Sequence, residues 1–211
     1  MQGKLVPQDP SDEPAADMLR LVNPKARIIT DNPHYPQLPD NWCYISIEDL
    51  NIYKSHSVNP ADAPQCTYDL YSVPIYPTGR PEQIKGKDIG STKQVVKIGD
   101  ILLCKINPHL NRVWLIENYT ENIQIASSEW IVVRSTGLYA PYLRAYFTSP
   151  SFRELLCSQV SGVGGSLTRA QPAVVKKYLI AIPPYNEQVR IANKIVELSS
   201  KIEVIESNLM N

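Results

Sequence analysis

Near the C-terminus the apolar residues Ile191, Ile195, Leu198, Ile202, Ile205 and Leu209 recur at intervals of 4, 3, 4, 3 and 4, the seam of a coiled-coil-type helix. No strand period accommodates that series. Asn186 is placed to cap a helix beginning at Glu187, whose carboxylate favours a helix N-terminus. A helix of three heptads is marginal in water on its own. The seam therefore predicts a partner helix in a second copy of the chain or in another subunit, for dimerisation or docking. The alternative is a helix whose apolar face lies on its own domain.

Ahead of that helix the pattern changes twice. The first 39 residues hold seven of the 18 prolines, and each proline fixes φ and removes an amide donor. Residues 1–38 therefore read as a linker with one short helix around Ala15 to Val22, capped by Ser11 or Asp12. From Trp42 to about Val133 short β-branched and aromatic runs follow one another: WCYISI, YDLYSVPIY, KQVVKI, DILLCKI, RVWLI and SEWIVVRS. Gly99-Asp100 before DILLCKI predicts a tight turn feeding a central strand. Two more helices are predicted, one over about 141–156 with a break at Ser149-Pro150 and one after Gln171. The fold class is α+β: a β-rich domain over 39–185 with a few helices, then the long helix of 186–211.

The chain has 21 basic and 21 acidic residues among 211, which argues against indiscriminate coating of nucleic acid. The charge is unevenly spread. Residues 1–62 carry five basic and nine acidic groups, 79–112 seven and three, and 134–177 six and one. The two basic stretches are either solvated surface or an electrostatic footprint for phosphate. No stretch approaches the roughly 20 apolar residues of a membrane span, and the acidic, proline-rich N-terminus does not look like a signal peptide, so a cytoplasmic location is expected. Cys43, Cys66, Cys104 and Cys157 form no CxxC pair, and reduced thiols with no metal and no cofactor are expected.

Three segments suit contact with another molecule. The strand DILLCKI ends in a polar knot of Lys105, Asn107, His109, Asn111 and Arg112 around Pro108. Lysine and arginine reach phosphate or guanine, and the amides and imidazole can bond base edges. The segment SGVGGSLTRAQ follows later. There Gly164 and Gly165 allow close backbone approach, and Ser166, Thr168, Arg169 and Gln171 supply hydroxyl, guanidinium and amide groups. It lacks the spacing and lysine of a phosphate-binding P-loop. Thr78, Arg80, Lys85 and Lys87 make the third. The plain alternative is that Asn107-Pro108-His109 is only a turn between strands and the glycine-rich segment only a surface loop.

In sequence order, QGKLVPQDPSDEPAADML, LPDNW, VVKIGDILLCKINPHLNRV, IASSEWIVVRS and LIAIPPYNEQVRIANKIVEL resemble the second half of a type I restriction-modification specificity subunit. The resemblance spans nearly the whole chain. It departs at Tyr185 and Asn186, where the family often has leucine and a variable residue, and a full subunit has two target recognition domains where this chain has one. The resemblance implies that residues 1–38 close the central conserved region, 39–185 form a target recognition domain that binds double-stranded DNA, and 186–211 form the distal conserved helix. It implies a non-catalytic chain that recruits modification subunits, which hold S-adenosylmethionine and methylate adenine. A restriction subunit joins where the complex also cleaves. A homodimer through the seam would read an interrupted palindrome.

Two rival classes stand beside that reading. Cys104 and His109 are close enough in sequence to form a catalytic dyad, although a strand cysteine before a turn histidine reads more simply as a core thiol. His34 and His56 lie in no HExxH or GxSxG pattern. The other rival is a protein docking module, or an inactive fragment, without DNA recognition of its own. The zero net charge favours it.

Overall fold

The computed structural model describes residues 3–30, 36–161 and 168–209. Helix α1 spans Ala15–Val22, the stretch where the sequence places a short helix, and buries Ala15, Ala16, Met18 and Leu19. Its N-cap position is held by Pro14, with no side-chain cap. The expected Ser11 or Asp12 cap is therefore corrected. Asp12 instead accepts from Arg190 at 2.6 Å and from the Asn186 amide at 3.1 Å.

Strand β1 (Cys43–Ser46) runs into the one-turn helix α2 (Ile47–Leu50), whose start is capped by the Ser46 hydroxyl. The strands that follow are short: β2 (Ser57–Val58), β3 (Thr67–Tyr71), β4 (Glu82–Lys85), β5 (Lys93–Val95), β6 (Ile101–Cys104), β7 (Val113–Leu115), β8 (Ile123–Ala126) and β9 (Trp130–Val133). Helices α3 (Ala140–Thr148) and α4 (Pro150–Cys157) break at Ser149, which proline pushes to an extended conformation. Ser149 then caps α4 through the Phe152 amide at 3.3 Å. The hairpin β10 (Val160–Ser161) and β11 (Arg169–Ala170), the turn of helix α5 (Pro172–Val175), strand β12 (Leu179–Ile182) and helix α6 (Tyr185–Leu209) complete the described chain.

Five strands form a mixed sheet in the order β2-β5-β8-β3-β4, with β3 and β8 parallel. Strands β7-β6-β9 form an antiparallel sheet with β6 in the centre, which is why Ile101 to Cys104 are all buried. Gly99 turns into it with φ of +88°, a conformation other residues rarely adopt. Strand β1 pairs with β12, so the first and last strands of the described chain lie side by side. The architecture is α+β.

The largest core joins α1, β1, α3, α4, β12 and the first turns of α6 around Trp42, Tyr142, Phe147 and Phe152. A second, aromatic core sets Trp114 edge-on to Tyr71 and Tyr76 and beside Trp130. Helix α6 starts two residues earlier than the Asn186 cap predicts, directly after Pro183-Pro184. Asn186 is inside the helix and bonds Asp12, so that cap is also corrected. Buried Glu187 accepts from Trp42 Nε1 at 2.9 Å and Gln8 Nε2 at 2.6 Å. Buried Gln188 accepts from the Tyr139 amide at 2.8 Å and donates to the Pro183 carbonyl at 2.9 Å. Residues 8–12 are thus bonded to the base of α6.

Of the heptad seam, Ile191 is buried and Ile195 is partly buried against the main core. Leu198, Ile202, Ile205 and Leu209 are 37%, 55%, 56% and 81% exposed. The alternative reading, an apolar face lying on the chain's own core, therefore holds for the first turns of the helix, and the last three turns present apolar side chains to solvent. Among the described residues no helix is long and apolar enough to cross a membrane.

Cys43 is fully buried, and burial pushes its thiol up to about 12 from an ordinary value near 9. A thiol held neutral in the fold but ionisable in the unfolded chain costs no stability below pH 9. As pH rises from 9 towards 12, only the unfolded state ionises and stability falls, on the order of 4 kcal/mol across that window. Urea melts of Cys43→Ala across pH 8 to 11 are expected to show a flatter decline with pH than the parent.

Candidate nucleic-acid interface

Two of the three candidate segments meet. After β6, Asn107 and Asn111 take left-handed conformations, with φ of 48° and 43°, on either side of the 3-10 turn Pro108–Leu110. Asparagine tolerates that region better than most residues, so the two asparagines set the path of the loop. The Asn107 amide donates to the Thr168 carbonyl at 2.9 Å, and the Thr168 amide donates to Asn107 Oδ1 at 3.3 Å. The Ala170 amide donates to the Lys105 carbonyl at 2.9 Å. A β-bridge between Ile106 and Arg169 lies between these bonds. The polar knot and the segment from Thr168 onward are one continuous surface.

The Arg112 and Asn107 side chains of the knot are used to build it. Arg112 Nη2 donates to the Ile106 carbonyl at 2.9 Å across the loop. Arg112 Nε and Asn111 Oδ1 are buried with no protein partner. His109 is exposed and Lys105 is half-buried. Arg169 forms a 2.7 Å pair with Glu129, its side chain 45% exposed. The groups that can reach a ligand are therefore His109 and Lys105, with Arg169 where it exchanges Glu129 for the ligand, while Asn107, Asn111 and Arg112 hold the loop in place. The turn reading and the contact reading divide the knot between them.

Gln171 is exposed at the start of α5. Gly164, Gly165 and Ser166 lie outside the described residues. In the third segment, Thr78 Oγ1 bonds the carbonyls of Ile75 and Arg80, both at 2.9 Å, and Arg80 is exposed beside it. That turn is tied to the strand leaving the knot, because the Tyr76 hydroxyl donates to the Val113 carbonyl at 3.3 Å. Lys85 and Lys87 flank Gly86, where any Cβ would collide with the carbonyl oxygens of Pro60 and Ala63. They belong to the 60–64 corner beside the five-stranded sheet, and among the described residues no hydrogen bond or ion pair ties them to the knot.

Cys104 does not have the setting of a nucleophile. It is 2% exposed, its thiol lies 3.4 Å from the Ile106 carbonyl, and burial raises its pKa. A reactive thiol needs the opposite shift. Among the described residues no group of three His, Cys, Asp or Glu side chains is placed to hold a metal ion.

The specificity subunit of the Escherichia coli type I restriction enzyme EcoAI is 27% identical to this chain over 228 residues, covering 98% of the chain. The EcoEI specificity subunit from the same organism is 25% identical over 236 residues, covering 96%. This chain is similar to type I specificity subunits. It spans 38% of the length of each of those relatives. No protein-family model matches the sequence. The fold of this chain is shared with the HsdS subunit from Thermoanaerobacter tengcongensis, with a TM-score of 0.70, 20% identity, and coverage of 85% of this chain and 46% of that one. A chain from a structure of type I restriction-modification complex assembly matches with a TM-score of 0.69 and 21% identity, covering 82% of this chain and 46% of that one.

Sequence reasoning missed Glu129, which holds both Lys105, through its carbonyl at 2.9 Å, and Arg169. Nothing in the run SSEW marks it, because its role arises only where β9 begins beside the loop.

Proposed function

We propose that this chain is a non-catalytic DNA-reading unit of a type I restriction-modification complex, with one target recognition domain that reads a half-site. The half-buried Lys105 and the exposed His109 and Arg169 contact phosphate and base edges, and Thr78 and Arg80 extend the contact along the backbone. The proposed domain limits are those of the sequence, 39–185 for the reader and 186–211 for the helix. Helix α6 pairs with a second copy and, with the segment before residue 39, docks modification subunits. Two readers related by a two-fold axis then bind an interrupted palindrome.

The observation that carries this reading is the interlock of 105–112 with 168–170, which presents basic and imidazole groups from two distant segments on a backbone fixed by hydrogen bonds. A preorganised loop loses less entropy on binding than a free one. The expected result is that Lys105→Ala, His109→Ala and Arg169→Ala each leave stability within about 1 kcal/mol. Each is expected to weaken duplex binding, by about 1–3 kcal/mol for a base contact or with a salt slope smaller by about one for a phosphate contact. Fluorescence anisotropy at several salt concentrations reads both. Binding unchanged in all three variants would exclude this surface. A flat response to salt would favour the docking-module reading, which the balanced charge of 21 basic and 21 acidic residues supports.

A further inference from the structure

A cavity of about 320 Å3 opens between the 76–79 turn, strand β7 and helix α3, and Tyr76, Gly79, Trp114, Glu117, Tyr119 and Arg144 line it. It is at the small end of ligand pockets. Tyr76 and Trp114 meet edge to face in its wall, centroids 5.4 Å apart. Behind Trp114 the Tyr71 hydroxyl is buried without a protein partner.

The charged groups of this cavity, Glu117 and Arg144, are exposed to solvent and are only partly engaged by the protein. The Tyr119 hydroxyl has one proton and faces two acceptors, the Gly79 carbonyl at 3.1 Å and Glu117 Oε2 at 3.0 Å. Among the described residues the Glu117 carboxylate receives no other hydrogen bond, Gln124 Nε2 donating instead to the Glu117 backbone carbonyl at 3.2 Å, and the Arg144 guanidinium has no hydrogen-bond partner. Glu117 and Arg144 line the same cavity yet form no ion pair. The cavity therefore offers an open acceptor and an open donor held apart, beside aromatic side chains.

That combination selects among ligands. A free anion meets the Glu117 carboxylate, a free cation meets Arg144, and an apolar group would strip water from both. What suits it is a neutral planar ring with an amine at its edge and an adjacent ring acceptor on one side of that amine only, since the ring N–H of uracil or thymine lies between two carbonyls, one of which would face the Glu117 carboxylate. We propose that the cavity receives an unstacked nucleobase bearing an exocyclic amine, which donates to Glu117 while Arg144 donates to a ring nitrogen or carbonyl. This deepens the proposed DNA-reading role and rests on it. It adds a pocket that reads one base by its amine, as a carboxylate reads cytosine N4 in a groove.

The test uses the full chain and four mononucleosides as probes: cytidine, adenosine, uridine and thymidine. Saturation-transfer NMR and tryptophan fluorescence read binding. Cytidine or adenosine is expected to bind saturably, at least tenfold tighter than uridine or thymidine. Glu117→Ala, at an exposed position, is expected to erase that discrimination, and Glu117→Gln, which keeps one acceptor oxygen, to reduce it. A role of Glu117 in folding alone would not distinguish amine-bearing from amine-free bases. No saturable binding of any nucleoside, or binding indifferent to the amine, would overturn the proposal. Duplex binding on the same samples separates the two ideas. Duplex bound with no nucleoside bound removes the cavity and leaves the DNA reader, whereas the reverse removes the reader and keeps the cavity.

Discussion

Arg134→Ala is expected to lower the unfolding free energy by about 3–5 kcal/mol, because it leaves a carboxylate buried and unpaired. Asp100 accepts from Arg134 Nε and Nη2, both at 2.6 Å, and from the Lys97 amide at 2.8 Å, and its side chain is 1% exposed. The guanidinium also lies 5.0 Å over the Tyr53 ring. Asp100 stands just before β6 and Arg134 just after β9, so the pair closes the antiparallel sheet whose central strand carries the polar knot. The variant is therefore expected to lose DNA binding along with stability. Changing both partners, Asp100→Asn with Arg134→Met, is expected to cost less than the single change, since no buried charge is then left alone. Urea unfolding of the three proteins checks the order.

The second large effect concerns the exposed end of α6. In the proposed dimer Leu198, Ile202, Ile205 and Leu209 are covered by the same residues of the second copy. Each buried leucine or isoleucine contributes about 1.5–3 kcal/mol. Ile202→Glu with Ile205→Glu removes two such groups from each helix, and association is expected to weaken by at least about 100-fold. Sedimentation measures it. Unlike the Arg134 change, these substitutions lie beyond the turns that rest on the core, so the domain itself should unfold at the same urea concentration. An unchanged sedimentation coefficient, with parent and variant both dimeric, would mean that the seam is not the interface.

The sequence reading succeeded where the cause of structure was local. Helix α1, the strand runs from WCYISI to SEWIVVRS, the Gly99 turn and the break at Ser149-Pro150 each follow from a few neighbouring residues. It failed where the partner lay far along the chain. Strand β8 is central to the five-stranded sheet, pairing β3 in parallel and β5 antiparallel. Its four residues IQIA carry too little pattern to stand out between polar neighbours. Asp12 and Asn186 each look like a helix cap, yet they bond each other across 174 residues. A tertiary hydrogen bond displaced two local ones.

The candidate site divides in the same way. The run from Lys105 to Arg112 stands out in the sequence because polar groups end an apolar strand. Which of them face outward does not, because that depends on Thr168, 61 residues away from Asn107, and on the Arg112 bond back to Ile106. The cavity of Tyr76, Glu117, Tyr119 and Arg144 draws on three separate elements, and no motif links them. The seam was legible as a helix, but only packing shows that Ile191 is covered and Leu209 is not.

The most direct test of the DNA-reading role is to co-express the chain with the modification subunit of its own host in cells lacking adenine methylation, and to map methylated adenines across the genome. The account predicts one motif, an inverted repeat interrupted by a fixed gap, lost in the Ile202→Glu, Ile205→Glu variant. An assembled complex that methylates no defined motif, or an asymmetric one, would contradict it.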